Sequence, residues 1–505
     1  MAFKRAEVFA ALLLFSVWGT AHAQDVTVKS PDGQVDLSGT LLGFDGEFYR
    51  LDTVYGEMTI DGSGVRCEGP ACPNLQDFVA EISISGSATM GAVLMPALIE
   101  GFGLRNGFRT ERVPEEPARF TCQFLNETTN KLVADLLANE ADIVKALREV
   151  RASERQRARD AGMGDLTAPN RSRVLALDAV VPIVSSGNPV RSISPLQLAA
   201  IFAGEIVNWS DLGGPNAPID LHLPSGQTGL GQAVEDQVMK PAKLKFGPNI
   251  VRHVRGVDLA LAVAASPFAI VIASYAETGN TQVLTLRGEC GFALRAARRT
   301  IKTEDYPLTV PMFLYLPARR LPKVAREFLA YTRGQSAQIV IRRAGFVDQA
   351  AEEISIANQG SRFANAITTA GTEISLQELQ RMISTLDGMA RLTTSFRFET
   401  GSIRLDAQSR SNVQQLARAL EIGKYDARRL MFVGFSDGDG AAQANRDIAL
   451  RRAEAVRRAV SKAAETANLE RVKLDVDAFG EALPMACDDS AWGRQAKRRV
   501  EVWLR

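Results

Sequence analysis

The stretch LMFVGFSDGDGAAQANRDIALRRA, residues 430–453, reads as a strand, a loop and a helix in succession. Leu430–Val433 is a compact apolar run, and the glycines within 434–440 permit a tight loop at its end. A helix is predicted to begin near Asn445. Its core-facing stripe consists of Ala449, Ala453, Val456 and Val460, at spacings of four, three and four.

Three polar side chains are predicted to meet beside that stripe. Asn445 and Arg452 are seven residues apart, so they stack two turns apart on the same side of the helix. Asp437, at the strand end, can face them. A carboxylate, an amide and a guanidinium around one cavity suit a zwitterionic ligand, because Asp pairs with an ammonium group and Arg binds a carboxylate bidentately.

Simpler interpretations of the same residues stay open at this point. The Asp-Gly-Asp-Gly sequence could be a solvated turn, and Arg452 could be a surface arginine beside Arg451. A calcium loop of the Asp-x-Asp-x-Asp-Gly kind is disfavoured. Its twelfth position must carry a carboxylate, and that position is Ile448 here.

The C-terminal α/β pattern, residues 389–505, resembles the OmpA-like peptidoglycan-binding domain. The matching segments, in family order, are Ser395–Phe398, Ser436–Gly440, Asn445, Ile448–Ala453 and Lys497–Glu501. The resemblance implies that Asp437 and Arg452 bind the diaminopimelate of the peptidoglycan stem peptide, with Asn445 in support. Departures are Ser436 for Thr, Ala449 for Ser and Lys497 for Asn, which leave both charged anchors in place.

Upstream, residues 78–350 alternate strand and helix patterns, as α/β sheets do. Strand candidates are Ile82–Ile84, Val180–Val184, Ala269–Ile272 and Met312–Leu316, with one helix running through Leu98 and another carrying Leu196–Phe202. Residues 351–388 look helical and polar, and are predicted to be a linker between this domain and the C-terminal one.

Two loops in this region are candidate anion sites. Gly86–Gly91 and Gln227–Gly229 each open a predicted helix, and the amides at a helix N-terminus favour anions. Neither loop has the Gly-Lys-Ser/Thr ending of a nucleotide-binding P-loop. The simpler interpretation is that these glycines only start helices.

The same region resembles type II periplasmic solute-binding proteins, specifically the phosphate-binding, PstS-like ones. The matching segments are Leu177–Val184, Asn188–Val190, Ile201–Gly214, Tyr306–Leu308, Glu327–Leu329 and Gly345–Val347. Carried over, the resemblance implies an anion site formed by Ser87, Thr89, Met90, Asp142, Thr228 and Gly229. The family's Ser-Arg pair appears as Leu147-Arg148 and its further arginine is absent or replaced by His222, so phosphate binding and loss of the ligand both remain open.

Residues 24–76 are predicted to form a small all-β, barrel-like module, since short alternating strands are separated by Asp-Gly turns. Before it, residues 1–23 are predicted to be a signal peptide. Lys4 and Arg5 precede the apolar Val8–Val17, and Ala21-His22-Ala23 offers a cleavage site. No cysteine stands there to carry a lipid anchor, and no later segment reads as a membrane span. The expected location is the periplasm, in association with the cell wall.

Five cysteines suit an oxidising compartment. Cys67 and Cys72 bracket a turn and are predicted to pair. Among Cys122, Cys290 and Cys487 one must stay unpaired, and Cys122–Cys290 is favoured because both lie in the same predicted domain, although connectivity does not follow from sequence.

The composition restricts the function class. Of 505 residues 46% are hydrophobic and 23% charged, with net charge +1, which is typical of soluble globular domains and not of nucleic-acid binders. Three histidines supply little material for a catalytic triad or metal site. The expected protein is non-catalytic, without cofactor or metal, and binds an oxyanion and peptidoglycan, with an envelope protein as a further candidate partner. The alternative is an envelope scaffold whose solute-binding domain has lost its ligand; a phosphatase or wall hydrolase is a third, less supported class.

Overall fold

The computed structural model describes residues 25–75, 82–108, 120–123, 141–371, 373–399 and 401–505. The predicted signal peptide lies outside these residues. The chain divides into two compact units: one contains the N-terminal module, and the other contains the α/β domain together with the C-terminal domain.

The N-terminal module is an antiparallel sheet with strand order β4-β3-β2-β1-β5, which confirms the all-β prediction. Its strands are β1 (Val26–Lys29), β2 (Asp36–Phe44), β3 (Phe48–Thr53), β4 (Gly56–Asp61) and β5 (Arg66–Glu68). Alternate residues of β1 and β3 (Val26, Val28, Tyr49 and Leu51) form its core. The predicted Cys67–Cys72 disulfide is present beside this core.

The second unit begins with a mixed sheet of nine strands, in which β12-β11-β13-β9-β17-β8-β6-β7 are consecutive neighbours and β14 pairs with β9. The strands are β6 (Ile82–Gly86), β7 (Phe120–Gln123), β8 (Ile143–Ala146), β9 (Ser172–Val184), β10 (Ser192–Ile193), β11 (Asp220–Pro224), β12 (Val251–His253), β13 (Ala269–Ser274), β14 (Gln282–Val283), β15 (Thr285–Arg287), β16 (Ala293–Leu294) and β17 (Thr309–Tyr315). The helices are α1 (Met95–Asn106), α2 (Ala152–Asp160), α3 (Pro195–Ala203), α4 (Gly229–Val234), α5 (Lys240–Ala242), α6 (Gly256–Ala265), α7 (Arg298–Lys302), α8 (Lys323–Tyr331) and α9 (Gln335–Arg343). Strands β10, β15 and β16 form a separate small sheet.

Strand β9 joins the two lobes of this α/β domain. Its first part, Ser172–Ala179, pairs antiparallel with β17 in the first lobe. Its second part, Val180–Val184, pairs with β13 in the second lobe. The strand is nearly all apolar because both faces are covered, and eleven consecutive residues from Val174 to Val184 are buried.

The C-terminal domain is a five-stranded sheet of order β18-β19-β22-β20-β21, in which only β20 and β21 are parallel. Its strands are β18 (Glu353–Ser355), β19 (Ala390–Arg397), β20 (Arg429–Phe435), β21 (Lys473–Gly480) and β22 (Arg499–Leu504). Its helices are α10 (Gly360–Thr368), α11 (Leu376–Leu386), α12 (Ala407–Glu421), α13 (Ala442–Ala463) and α14 (Ala491–Lys497).

The prediction that residues 351–388 are a linker is wrong. Strand β18 is an edge strand of the C-terminal sheet, and the helices α10 and α11 pack on that sheet. Leu379, Met382 and Leu386 are buried against Val433 and Trp503. The polar appearance of this segment reflects amphipathic helices with one covered face, which is how helices lie on a sheet.

The prediction of a Cys122–Cys290 disulfide is also wrong, because Cys290 bonds to Cys487 of the C-terminal domain. The assumption that cysteines of one predicted domain pair with each other fails, since the two domains of this unit are in contact. Trp492 Nε1 donates to the Gln237 carbonyl at 2.6 Å in the second lobe. Arg410 pairs with Glu149 of the first lobe at 2.5 Å. The C-terminal domain therefore contacts both lobes.

Buried charge also joins the two domains. Asp305, which follows α7, receives two hydrogen bonds from Arg391 of β19, at 2.9 and 3.1 Å. Arg391 pairs in addition with Glu501 of β22 at 3.4 Å. All three side chains are almost completely buried. A buried ion pair is strongly unfavourable to break, since removing one partner leaves an uncompensated charge, so these contacts fix the domain orientation.

Candidate functional sites

The first candidate site lies where β20 ends and α13 passes over it. Gly434 permits the approach, since a Cβ on this residue would lie 2.1 Å from the Ala449 carbonyl oxygen. Helix α13 thereby packs directly on the strand, with Asn445, Ala449 and Arg452 buried on its inner side. The predicted helix and the face it presents are confirmed.

Asp437 stands at the end of β20 and is only 9% exposed. Its carboxylate accepts a hydrogen bond from Arg498 Nη1 at 2.5 Å. Its negative charge also acts on Arg452: it favours a higher pKa for that arginine, against the larger lowering that burial causes. The predicted acid and guanidinium are therefore close enough to interact, and Arg498 stands with them.

Arg452 is 5% exposed, and its Nε has no hydrogen-bond partner among the described residues. Its guanidinium lies 5.2 Å from the centre of the Phe398 ring. Burial, followed by the charge of Arg498, lowers the pKa of Arg452. A buried cation with an unused donor has the properties of a receptor for an anionic ligand group, because burial makes its vacant hydrogen bond costly.

Asn445 has a local role in this site. Its Nδ2 donates to the Gly440 carbonyl at 3.3 Å and so ties the loop after β20 to the first turns of α13. Two further polar groups were not predicted as site residues: Arg498, and Ser436, whose buried Oγ has no hydrogen-bond partner among the described residues. Ser436 directly precedes Asp437, and Arg498 lies in the closing family segment Lys497–Glu501, so the family resemblance was the available signal.

The second candidate site lies between the lobes of the α/β domain. Gly86 ends β6 with φ of +119°, and a Cβ there would lie 2.1 Å from the Lys145 carbonyl oxygen, so this position requires glycine. The turn directs Ser87 inward. Ser87 is 2% exposed, and its Oγ has no hydrogen-bond partner among the described residues.

Thr89 and Met90 follow on the first turns of the helix that leads into α1. Met90 begins a π-helical segment, Met90–Leu94, and is fully buried, whereas Thr89 is partly exposed and makes no cap hydrogen bond. A second π-helical segment, Glu235–Met239, follows α4 in the other lobe. Such segments are rare and occur often at functional sites.

Thr228 and Gly229 approach the first loop from the second lobe. A Cβ built on Gly229 would lie 3.5 Å from Leu147 and 3.6 Å from the Ser87 Cβ, so the two predicted anion loops are in contact range. Thr228 caps α4: its Oγ1 accepts from the Gly231 amide at 3.1 Å and donates to the Ser225 carbonyl at 2.8 Å. Its hydroxyl is therefore engaged by the protein itself.

Asp142 is engaged elsewhere. One carboxylate oxygen accepts from the Ser83 amide at 2.8 Å and the other from Arg319 at 2.7 Å. Arg148, in the family's arginine position, is also committed. It donates to both oxygens of Glu154, at 2.9 and 2.8 Å, and to Gln232 Oε1 at 2.8 Å.

His222, the one candidate that the resemblance offers for the family's further arginine, lies on β11. Its Nδ1 is 2.9 Å from Nε2 of His253, so one of the two rings donates to the other. Burial, and then the neighbouring His253, lowers the pKa of His222. This shift disfavours the charged form of His222, so this ring is a poor substitute for the cation that an arginine would supply.

The described residues contain no group of three or more His, Cys, Asp or Glu side chains arranged to hold a metal. Within the same residues, every helix is too short or too polar to cross a bilayer.

Comparison with known proteins assigns both domains. The model of the PBP superfamily domain matches residues 74–334, just over half of the chain, and the OmpA family model matches residues 397–499. The phosphate-binding protein PstS of Staphylococcus haemolyticus is 26% identical over 216 residues, 40% of this chain and 65% of that protein. The alignment thus spans less than two thirds of this relative.

Solved structures similar to the chain divide between the same two domains. An ABC-type phosphate transport receptor from Vibrio cholerae is 20% identical, covers 53% of this chain and 99% of its own, and has a TM-score of 0.41. The peptidoglycan-associated lipoprotein of Burkholderia pseudomallei is 24% identical, with 22% and 89% coverage and a TM-score of 0.20. The chain belongs to the PBP superfamily and joins a PstS-like binding domain to a C-terminal OmpA-family domain.

Proposed function

We propose that this chain is a non-catalytic periplasmic protein that holds peptidoglycan through the diaminopimelate of the stem peptide and binds an oxyanion, phosphate being the leading candidate. One observation carries the first part. Arg452 is a buried guanidinium with an unpartnered Nε, next to a buried carboxylate, Asp437. The export signal predicted in residues 1–23 belongs to this proposal.

Diaminopimelate suits this pair of charges because it presents an ammonium and a carboxylate from the same carbon. Its carboxylate would take the vacant donors of Arg452, and its ammonium would approach Asp437. In the structure, Arg498 Nη1 donates a hydrogen bond to the Asp437 carboxylate. On binding, that guanidinium would shift towards the ligand carboxylate, so that the exchange leaves no buried charge unpaired.

A pull-down with purified peptidoglycan tests this site. We expect Asp437→Ala and Arg452→Ala each to weaken retention strongly. Arg458→Ala is the matched control, because Arg458 is exposed on the same helix and its ion pair, among the described residues, is with Glu454. Retention of both site variants at the wild-type level would contradict the assignment, and a loss shared by the Arg458 control would point to non-specific charge attraction.

The oxyanion proposal is supported by the cleft loops. Ser87 offers a buried hydroxyl without a partner, and Gly229 begins the facing helix, whose amides favour an anion. Thr89, Met90 and Thr228 flank these two groups, whereas Asp142 is engaged elsewhere.

A specific observation favours the alternative, a scaffold whose binding domain has lost its solute. Leu147 lies against Gly229 between the loops, and Arg148 is fully paired with Glu154 and Gln232. The predicted anion loops therefore contribute hydroxyls and amides but no uncommitted cation. Isothermal titration calorimetry with inorganic phosphate distinguishes the two functions: heat of binding that is lost in Ser87→Ala supports the oxyanion receptor, and absence of heat supports the scaffold.

Binding rather than bond-making is the proposed activity. His222 and His253 hydrogen-bond each other and are not paired with a nucleophile. Turnover of a phosphoester or of purified sacculi that a point change in the cleft abolishes would replace this proposal with an enzymatic one.

A further inference from the structure

A cavity of about 490 Å³ lies between the α/β domain and the C-terminal domain, away from both sites described above. One wall is the start of β9, Ser172–Leu175, together with residues 332–338. The opposite wall is α12 and the turn that follows it, up to Tyr425. Its volume falls within the usual range for pockets that bind small molecules.

The charges around this inter-domain cavity have one sign. Its wall contains Arg173, Arg333, Arg410, Arg418 and Lys424, and no acidic residue. Arg410 is compensated by Glu149. Among the described residues, the partners to which Arg173 donates are neutral: the Leu329 carbonyl at 2.6 Å and the Thr332 hydroxyl at 3.3 Å. Within the described residues, neither Arg333 nor Arg418 forms an ion pair.

Arg173, Arg333 and Arg418 come from three separate elements and act on one another. Burial, and then the charges of Arg333 and Arg418, lowers the pKa of Arg173 to about 9. Burial and Arg418 lower the pKa of Arg333 to about 10. With these pKa values, Arg173 and Arg333 stay charged at neutral pH, so the repulsion persists and no carboxylate in the wall relieves it.

Neutral polar groups complete the wall. Tyr425 is 2% exposed, and its buried hydroxyl has no hydrogen-bond partner among the described residues. Nε2 of Gln349 is likewise buried without a partner. Further amide side chains around the cavity are those of Gln335, Gln338 and Gln414. Such groups exchange hydrogen bonds with the hydroxyls of a polyol or sugar.

We propose that the inter-domain cavity is a second anion site, which takes a small polyhydroxylated molecule with at least two phosphate or carboxylate groups. Arginine forks bind such groups bidentately, and three uncompensated arginines require more than one negative charge. Arg173 and Arg333 belong to the binding domain, and Arg418 belongs to the C-terminal domain. A ligand that neutralises all three therefore also stabilises the contact between the domains.

Calorimetry and thermal unfolding of the full chain with fructose 1,6-bisphosphate, at low salt, test this proposal. We expect binding, with a rise in Tm. Arg333→Gln and Arg418→Gln should each weaken it by about ten-fold or more, since a charge-assisted hydrogen bond is lost. Arg343→Gln, an exposed change at the end of α9, is the matched control and should bind like wild type. Ser87→Ala should also bind the sugar bisphosphate normally, which separates this site from the phosphate cleft.

Four results would overturn the proposal. One is the lack of both heat and thermal shift at millimolar probe. The second is equal weakening by Arg418→Gln and Arg343→Gln, which would indicate non-specific attraction to surface charge. The third is binding of uncharged fructose to the wild-type protein as tightly as the bisphosphate, which would show that the arginines do not contribute to recognition. The fourth is loss of probe binding in Ser87→Ala, which would show that the probe binds in the cleft between the lobes and not at a second site.

Discussion

Replacement of Arg452 by methionine should weaken ligand binding strongly but leave the stability of the protein nearly unchanged. Methionine keeps most of the side-chain volume and its contact with Phe398 but removes the guanidinium. That guanidinium is buried, its Nε has no hydrogen-bond partner among the described residues, and Asp437, its acidic neighbour, accepts a hydrogen bond from Arg498. The Arg452 guanidinium is therefore expected to contribute more to ligand binding than to the stability of the fold.

The magnitude follows from these contacts. An unsatisfied buried polar group costs about 1–3 kcal/mol, and a desolvated cation–π contact such as that with Phe398 returns about 2 kcal/mol. Arg452→Met should thus leave the free energy of unfolding within about 1 kcal/mol of the wild-type value. For peptidoglycan, loss of one side of a desolvated charge pair costs about 2–5 kcal/mol, or roughly 30-fold to several thousand-fold in affinity.

Urea unfolding and binding of a soluble stem-peptide fragment measure the two effects on the same sample. The contrasting variant is Arg499→Met. Arg499 is completely buried but pairs with Glu501 at 2.7 Å, so its removal should destabilise the domain by about 3–5 kcal/mol. If Arg452→Met lost stability like Arg499→Met and kept its affinity for the fragment, Arg452 would be a structural residue and the reasoning would be refuted.

Three further predictions concern the α/β domain and its contacts. Ser87→Ala should leave Tm unchanged, since its Oγ has no protein partner, but weaken phosphate binding by calorimetry about 5- to 150-fold; a lower Tm with unchanged affinity would contradict this. Replacing both Cys290 and Cys487 by serine should lower the free energy of unfolding by about 2–4 kcal/mol, because their disulfide closes a loop of 197 residues. In calorimetric melts, a reductant should destabilise this double variant less than the wild type, because the variant has no Cys290–Cys487 bond to lose. Burial, and then the charge of Asp178, raises the pKa of Glu277 to about 7, above the 4.5 of an unperturbed carboxyl. The folded state then binds the extra proton, so stability falls as pH rises from about 4.5 to about 7, and Glu277→Gln should stabilise the protein at pH 8 but not at pH 4 in urea unfolding. The same gain at both pH values would exclude titration of Glu277 as the cause.

Local patterning was sufficient for the fold class and for the placement of the residues of the proposed peptidoglycan site. Apolar spacing alone predicted the strand at Leu430, the inner face of α13 and the convergence of Asp437 with Arg452, because all of these depend on residues close together in the chain. The glycine turn at Gly86 and the Cys67–Cys72 bridge are local in the same sense. For such features the periodicity of strand and helix determines which side chains share a face.

Contacts between distant segments needed the tertiary structure. Residues 351–388 read as a polar linker because an amphipathic helix shows its covered face only when the sheet beneath it is known. The Cys290–Cys487 bond and the arginines of the inter-domain cavity join residues whose proximity depends on how two domains pack. Charge compensation depends on distances in space rather than spacing along the chain, so sequence identified which arginines this protein has, and only the fold determined which of them have no partner.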